Sequence, residues 1–383
     1  MSQRSRHEAT RLRLPTRLLL MLSERGPRGR AVATRLELMR IEIRSMARPF
    51  RKAARHSSHD LAWSKDETYR RIWTEAASAI GAELTEYAPG YFRFTRNNTE
   101  TIAWRHHVMI DSPATTTLAS DKPVLLDLLR AANLPVPAHV TAEIERPARL
   151  LGFLSSSPGP CVVKPARGTS GGDGVTCGVR SPDELVQAWL LARRYCPVVI
   201  AERQVAGDSY RLLFLDGKLL AALRRQPPSV IGDGHRNIHQ LIATMNDERI
   251  TLGPRSVSRL VHIDLECLLT LSRVGLSLRS VPTPGQRVMV KASVSENSRT
   301  DNEATTYLSP ELVDSARRAA EAARLRLAGV DLVTTDPQQP LEGHGAIIEV
   351  NGTPGLHYHY QVGRADTHTA VAVPILKHLL PEM

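Results

Sequence analysis

The chain has 383 residues, a length that predicts two or three domains of about 150 residues each. Its hydrophobic fraction of 42% and charged fraction of 23% are typical of a globular protein and exclude overall disorder. The formal net charge is +11, but residues 1–60 hold 15 basic against 5 acidic residues, and everything after them holds 35 against 34. The body of the protein is therefore almost neutral.

Residues 1–60 form an Arg-rich extension, in which an amphipathic helix is predicted between Ala31 and Met46. Such a helix could bind a membrane surface or a polyanion, and the alternative is a solvated tail. An aromatic content of 4%, with no aromatic residue before Phe50, argues against a nucleic-acid surface that stacks bases.

The N-terminal apolar run from Leu18 to Leu22 is too short for a membrane span or an export signal. The four cysteines, Cys161, Cys177, Cys196 and Cys267, show neither a CxxC pair nor zinc-ligand spacing. These features predict a cytoplasmic protein with reduced thiols and no transmembrane segment.

Residues 61–118 are predicted to form a small N-terminal α/β domain. A helix around Glu67–Ile80 is followed by three strand-like segments, Ala82–Tyr87, Tyr91–Thr95 and Thr101–Arg105. Ser120 is predicted to cap a helix through Leu129, and residues 119–383 then alternate between strands and helices. Ser309-Pro310 opens another predicted helix, running to about Leu327. The fold class is mixed α/β (α+β).

A short apolar strand, Cys161–Pro165, carries Lys164, and the glycine-rich loop Gly168–Gly174 follows within four residues. Glycines let backbone N–H groups approach phosphate oxygens, and a lysine supplies a compensating charge. The loop matches neither a P-loop nor a dinucleotide fingerprint. A mobile Gly/Ser turn is the alternative interpretation.

The apolar strand Val198–Glu202 ends in an acid, and Asp216-Gly217-Lys218 is predicted to be a hairpin turn before Arg224 and Arg225. One interpretation is a nucleotide hinge, with Glu202 near the base and the arginines near phosphate or a substrate carboxylate. The other is an amphipathic hairpin with a charged outer face.

Two predicted buried strands in the C-terminal third carry polar side chains. Asp331 interrupts the apolar stretch Ala328–Val333, while Glu349 and Asn351 project from one face of Ala346–Asn351. A buried carboxylate is costly unless it is paired or bound to a metal, and these oxygen ligands suit Mg²⁺. Otherwise, the two acids face solvent from edge strands.

The order of these features resembles the ATP-grasp superfamily, and within it the ATP-grasp region of cyanophycin synthetase and related carboxylate–amine ligases. The resemblance covers about residues 118–360. It is carried by Asp121-Lys122-Pro123, Val163-Lys164-Pro165, Arg224-Arg225, Gly232-Asp233-Gly234, Ala328-Gly329-Val330-Asp331 and Glu349-Val350-Asn351-Gly352-Thr353-Pro354-Gly355-Leu356.

The resemblance implies an ATP-grasp fold with a lid subdomain at about 135–200, a catalytic subdomain at about 201–383, and ATP and Mg²⁺ as cofactors. Asp331, Glu349 and Asn351 would hold the metal. ATP would be bound by Lys122, Lys164, Gly168, Ser170, Gly171, Gly172, Gly174, Glu202 and Asp208. The catalytic residues would be Arg211, Arg225 and Lys291.

The implied reaction joins a carboxylate to an amine through an acyl phosphate, releasing ADP and phosphate. The expected partners are small-molecule substrates, namely amino acids or short peptides, and a homo-oligomer is left open. A carrier-protein thiol as acceptor is one alternative, and a polyanion- or membrane-binding protein is the other.

Two departures from the family pattern limit what carries over. The segment Lys291–Thr300 replaces a stretch that in cyanophycin synthetases is expected near substrate, and the second, Mur-ligase-like half is not expected in this chain. His357-x-His359 is interpreted as polar lining that faces substrate, since two histidines do not make a metal site.

Overall fold

The computed structural model describes residues 58–143, 147–156, 159–169, 171–252, 259–364 and 368–382, with side chains from residue 65 onward, together with Met21, Ala33 and Leu36. Ser170 lies outside these residues, and so does the predicted helix of the extension apart from Ala33 and Leu36. Within the described residues, no helix is long and apolar enough to cross a membrane. None of the four cysteines, all of which are among the described residues, forms a disulfide bond.

The N-terminal unit is one helix packed on a four-stranded antiparallel sheet of order β1-β2-β3-β4. The predicted helix and strands are confirmed, with the helix starting nine residues earlier than expected. The elements are α1 (Ser58–Ile80), β1 (Glu83–Ala88), β2 (Tyr91–Arg96), β3 (Thr99–Trp104) and β4 (His107–Val108).

Two short helices follow, α2 (Pro113–Ser120) and α3 (Lys122–Ala131). The prediction that Ser120 caps the second helix is wrong, because Ser120 ends α2. The cap is Asp121, whose carboxylate accepts a hydrogen bond from the backbone N–H of Val124. Since Pro123 lies in the first turn, where no intrahelical N–H bond is needed, the helix begins sharply at Lys122.

The lid unit, residues 139–203, has an antiparallel sheet of order β5-β8-β6-β7. Its apolar core includes Leu150, Val163, Trp189 and Val199, and Leu265 from outside the unit joins the same core. The elements are β5 (His139–Ala142), α4 (Ala148–Ser156), β6 (Cys161–Pro165), β7 (Thr176–Val179), α5 (Pro182–Ala192) and β8 (Val199–Arg203).

The remainder is built on a central antiparallel sheet of order β13-β10-β9-β14-β15, with a small two-stranded sheet of β11 and β12 beside it. The elements are β9 (Asp208–Leu215), β10 (Lys218–Arg225), β11 (Ser229–Ile231), α6 (Ile238–Leu252), α7 (Leu265–Arg273), β12 (Arg287–Met289), β13 (Asn302–Ala304), α8 (Pro310–Ala322), β14 (Leu327–Thr334), β15 (Gly345–Asn351), α9 (His357–Tyr360) and α10 (Ala372–Leu379).

The central sheet is covered on both faces. Leu212 and Phe214 of β9 belong to a core shared with α3 and α8. Leu213 and Leu215, which alternate with them, belong to the core of the N-terminal unit, which also includes α10. Successive strand residues point to opposite faces. The N-terminal unit therefore packs on the face of the central sheet that carries Leu213 and Leu215.

Two local predictions have different outcomes. The hairpin predicted at Asp216-Gly217-Lys218 is confirmed: Asp216 and Gly217, with positive φ values of 48° and 75°, form its turn, and Lys218 is already the first residue of β10. The helix opened by Ser309 ends at Ala322, so its predicted extension to Leu327 is wrong. Arg324, with φ of 58°, leaves the helical conformation and directs the chain into β14.

Candidate active site

A row of polar side chains crosses three adjacent strands of the central sheet. In the strand register, Asp331 lies opposite Arg211 on one side and opposite Glu349 on the other. Arg211 donates to Asp331 through Nε and Nη2, at 2.7 and 2.5 Å. The amide Nδ2 of Asn351 donates to the same carboxylate at 3.1 Å and to the carbonyl of Gly329 at 3.3 Å. Three of the predicted site residues are therefore in direct contact.

Lys122 reaches this row from the start of α3. Its Nζ lies 3.7 Å from Oε1 of Glu349, and its side chain is almost completely buried. Burial acts to lower the pKa of Arg211, but the charge and hydrogen bonds of Asp331 outweigh it and raise that pKa above its usual value. The row therefore pairs each predicted metal carboxylate with a cation.

Arg225 lies on the same face of the sheet, in the strand beside Arg211. It donates to the carbonyl of Val294 at 3.2 Å, and no carboxylate among the described residues pairs with it. The Nε of Arg225 is buried, and it has no hydrogen-bond partner among the described residues. Burial, followed by the charge of Arg211, lowers its pKa. Such a cation is suited to an incoming anion.

The aromatic ring of Tyr358 faces both arginines. The ring centroid lies 4.8 Å from Cζ of Arg225 and 5.2 Å from Cζ of Arg211, within the range of a cation–π interaction. We name Arg211, Arg225, Asp331, Glu349 and Asn351 the sheet-face cluster.

The lid unit contributes a buried ion pair. Nζ of Lys164 on β6 lies 2.7 Å from Oε1 of Glu202 on β8. The backbone N–H of Lys122 donates to the carbonyl of Ala166, and Arg167 lies 3.3 Å from Asp121. These contacts join the end of β6, the strand that carries Lys164, to the start of α3, where Lys122 lies. The lid is therefore attached beside both lysines that are predicted to bind ATP.

The glycine-rich loop adopts backbone conformations that favour glycine. Gly168, Gly171, Gly172 and Gly174 have φ values of 74°, 64°, 84° and 74°. A Cβ on Gly172 would lie 2.3 Å from Oγ of Ser295. The loop is thus packed against residues outside the lid unit, and Asp173 also pairs with Arg259 at 2.7 Å.

Two predicted residues have other partners. Asp208 is exposed and pairs with Arg224, whose Nη2 lies 2.7 Å from its Oδ2. Lys291 is buried among three carboxylates, those of Asp264 at 2.6 Å, Glu296 at 3.3 Å and Glu266 at 3.8 Å. Their charges outweigh burial and raise the pKa of Lys291. Among the described residues, neither side chain forms a hydrogen bond or an ion pair with the sheet-face cluster.

No family model matches the chain. The chain is 33% identical over 249 residues to cyanophycin synthetase of Trichormus variabilis, covering 63% of this chain and 27% of that protein. It is 34% identical over 272 residues to cyanophycin synthetase of Crocosphaera subtropica, covering 69% and 30%. The chain is related to the cyanophycin synthetases and has the ATP-grasp fold.

The same fold occurs in the crystal structure of a bifunctional glutathione synthetase from Pasteurella multocida, with a TM-score of 0.54 and 22% identity. That likeness covers 82% of this chain and 43% of the other. This ATP-grasp chain spans less than a third of the length of the cyanophycin synthetases it matches. The predicted fold class and family resemblance are confirmed.

The chemistry of the donor set fits a hard divalent cation. Asp331 and Glu349 offer carboxylate oxygens, and Asn351 offers Oδ1, because its Nδ2 is already donating. The carboxylate of Asp331 is shared with Arg211, and Lys122 lies beside Glu349. Within the described ranges, no group of three or more His, Cys, Asp or Glu side chains could hold a metal ion, so such a site depends on the amide of Asn351.

Tyr358 is a site residue that was not predicted from the sequence, although it lies in the stretch that follows Asn351. Its position two residues after Pro354-Gly355-Leu356 was the available signal. His357 and His359 are buried. His357 contacts Tyr69 of the N-terminal unit, a pairing across 288 residues that local sequence patterns do not indicate.

Proposed function

We propose that this chain is an ATP-dependent ligase that joins a carboxylate to an amine through an acyl phosphate, releasing ADP and phosphate. The observation that carries the proposal is the convergence of Arg211, Asp331, Glu349 and Lys122 on one face of the central sheet. The relationship to cyanophycin synthetases supports it. Amino acids or short peptides are the proposed substrates.

Each polar group has a role that matches its surroundings. Lys122 and Lys164 bind ATP phosphates, and the loop Gly168–Gly174 covers them with backbone N–H groups. Arg225, which has no carboxylate partner among the described residues, binds the substrate carboxylate and then its acyl phosphate. Arg211 stays paired with Asp331 and fixes that carboxylate's position.

Asp331, Glu349 and Asn351 would hold Mg²⁺. A cation bound there supplies charge neutralisation to the triphosphate. Catalysis by the chain's own residues consists of orienting the carboxylate, excluding water beneath the glycine-rich loop, and stabilising negative charge with lysine and arginine. No covalent enzyme intermediate is required.

Hydroxylamine trapping tests the proposal, because it converts an acyl phosphate into a hydroxamate. A panel of amino acids and dipeptides with Mg·ATP is expected to yield hydroxamate from at least one carboxylate. Asp331→Asn should abolish the product, while Asp314→Asn, which alters an exposed carboxylate paired with Arg317 on α8, should retain it. Absence of nucleotide-dependent hydroxamate across the panel would contradict the proposal.

The two alternatives receive no support from the described residues. A polyanion-binding role rests on the charge of residues 1–60, nearly all of which lie outside the description. Comparing trapping activity in the full chain and in a chain that starts at residue 58 separates the roles, because the ligase proposal places all its site residues after Asp121.

A further inference from the structure

The N-terminal unit contacts the candidate active site through a buried tyrosine on α1. The hydroxyl of Tyr69, on α1, lies 2.8 Å from Nδ1 of His357. Tyr69 is completely buried and His357 is 6% exposed. The backbone N–H of His357 also lies 3.4 Å from the same hydroxyl oxygen. The first residue of α9 is therefore bound by both its side chain and its backbone to one tyrosine.

The hydroxyl oxygen of Tyr69 accepts a hydrogen bond from the backbone N–H of His357. The hydroxyl proton is completely buried and needs an acceptor of its own, and Nδ1 of a neutral imidazole with its proton on Nε2 supplies one at 2.8 Å. Consistently, burial, followed by the charges of His106 and Lys65, lowers the pKa of His357 well below its usual value.

The histidine in turn packs against the ring that covers the arginines. The ring centroids of His357 and Tyr358 are 4.1 Å apart. A Cβ on Gly355 would lie 2.8 Å from Cε1 of His357 and 3.0 Å from Cε2 of Tyr358. Glycine at this position therefore lets both rings lie against the backbone.

The ring of Tyr358 contacts two like charges at once. Arg211 and Arg225 repel each other, and the charge of Arg211 lowers the pKa of Arg225. The negative face of an aromatic ring attracts both guanidinium groups without occupying their hydrogen-bond donors. The buried Nε of Arg225, which has no hydrogen-bond partner among the described residues, therefore remains available to an anion.

We propose that Tyr69 and His357 are positioning residues that hold the Tyr358 ring against Arg211 and Arg225, so that the N-terminal unit sets the geometry of the substrate-anion subsite. This inference rests on the proposed ligase function. It assigns to the N-terminal unit a part in recognition of the carboxylate substrate, in addition to its packing against the central sheet.

Tyr69→Phe tests the proposal because it removes both hydrogen bonds and keeps the ring. We expect kcat/KM for the carboxylate in hydroxamate formation to fall about tenfold, with KM for ATP unchanged. The matched control is Tyr360→Phe, which also removes a hydroxyl acceptor in α9, used by the backbone N–H of Ala372 at 3.1 Å. A purely structural role predicts equal effects of the two variants, and that result would overturn the inference.

Two further comparisons isolate the pair and the ring. His357→Asn, whose side-chain oxygen can accept from Tyr69 in place of Nδ1, should retain several-fold more activity than His357→Leu. Tyr358→Phe should likewise exceed Tyr358→Leu. Tyr358 is half-buried, so its variants are informative even if Tyr69→Phe fails to fold. A wild-type value of kcat/KM in Tyr358→Leu would overturn the inference.

The failure of the inference and that of the proposed function are distinguishable. An active wild type with an equally active Tyr69→Phe variant removes only the positioning role. A wild type that forms no hydroxamate from any carboxylate removes the ligase function and the inference together.

Discussion

Lys164 and Glu202 form an ion pair between adjacent strands of the lid sheet, with side-chain exposures of only 6% and 3%. The second oxygen of Glu202, Oε2, is buried without a hydrogen-bond partner among the described residues. A buried pair gains little over apolar replacements of the same volume, whereas loss of one partner leaves an uncompensated charge. The pair thus has a cost in stability, which we propose is retained because Lys164 and Glu202 bind ATP.

Single removal of either partner is expected to destabilise the protein more than removal of both. Lys164→Met and Glu202→Leu should each lower the free energy of unfolding by about 3 kcal/mol, and the double variant should lose less than either single variant. Urea unfolding of the four proteins measures the coupling. Losses that add within about 0.5 kcal/mol would show that the charges act independently. The exposed pair Arg224–Asp208 is the matched control, with a coupling below about 1 kcal/mol.

Gly172→Ala should weaken ATP binding far more than Gly168→Ala. Both positions have positive φ, 84° and 74°, so both variants carry a similar backbone strain of about 1 kcal/mol. Only at Gly172 would the added Cβ collide with Ser295, while nothing lies within 4 Å of a Cβ on Gly168. We expect at least a tenfold difference in the Kd for ATP, measured by calorimetry. Equal Kd values in the two variants would show that the loop binds ATP without packing on Ser295.

Arg225→Met should abolish ligase activity and leave the fold as stable as before, or more so. Arg225 is a buried cation that no described carboxylate pairs with, and an apolar side chain of similar length removes that desolvation cost. We expect hydroxamate formation to fall at least about 100-fold. The adjacent Arg224→Met removes an exposed arginine paired with Asp208 and should retain activity. Loss of stability in Arg225→Met without loss of activity would contradict the assigned role.

Acid should destabilise the protein through its buried histidines. Burial and the charges of Arg211 and Arg225 lower the pKa of His359 to about 3, and burial and the neighbouring His107 lower that of His106 to about 3. Because the unfolded value is about 6.5, the unfolded chain binds more protons between pH 6.5 and 3. Stability therefore falls as the pH falls through this window.

The size of this effect can be read from one substitution. Between pH 7.5 and 5.5, each such histidine should cost about 1.4 kcal/mol of unfolding free energy. His359→Gln should show a pH-dependent loss smaller than that of wild type by this amount, measured by urea unfolding at both pH values. His235→Gln, an exposed position, should keep the wild-type loss, and an unchanged loss in His359→Gln would disprove the assignment.

Local patterns predicted most of the strands that carry the candidate site. The apolar run with one charged residue identified β6, β14 and β15, and the Asp-Gly pair identified the hairpin of β9 and β10. Helix ends were less well predicted. Ser120 and Asp121 are both good caps, but Ser120 is the last residue of α2, and Asp121 therefore caps α3.

The pairing of the site residues could not be predicted in the same way. Alternation placed Glu349 and Asn351 on one face, but which residue lies opposite Asp331 depends on the register of β9 and β14. Arg224 and Arg225 are neighbours of the same type in the sequence. Only the orientation of β10 determines that Arg224 faces solvent and that Arg225 is buried beside Arg211.

The two-sided packing of β9 divides the molecule into parts that should lose structure in different ways. Leu213 and Leu215 join the central sheet to the N-terminal unit and α10, while Leu212 and Phe214 join it to α3 and α8. No strand of the central sheet contributes to the described core of the lid. The sheet and its two coverings therefore constitute one cooperative folding unit, and the lid a second unit that can exchange its amide protons without exposing Arg211 or Asp331.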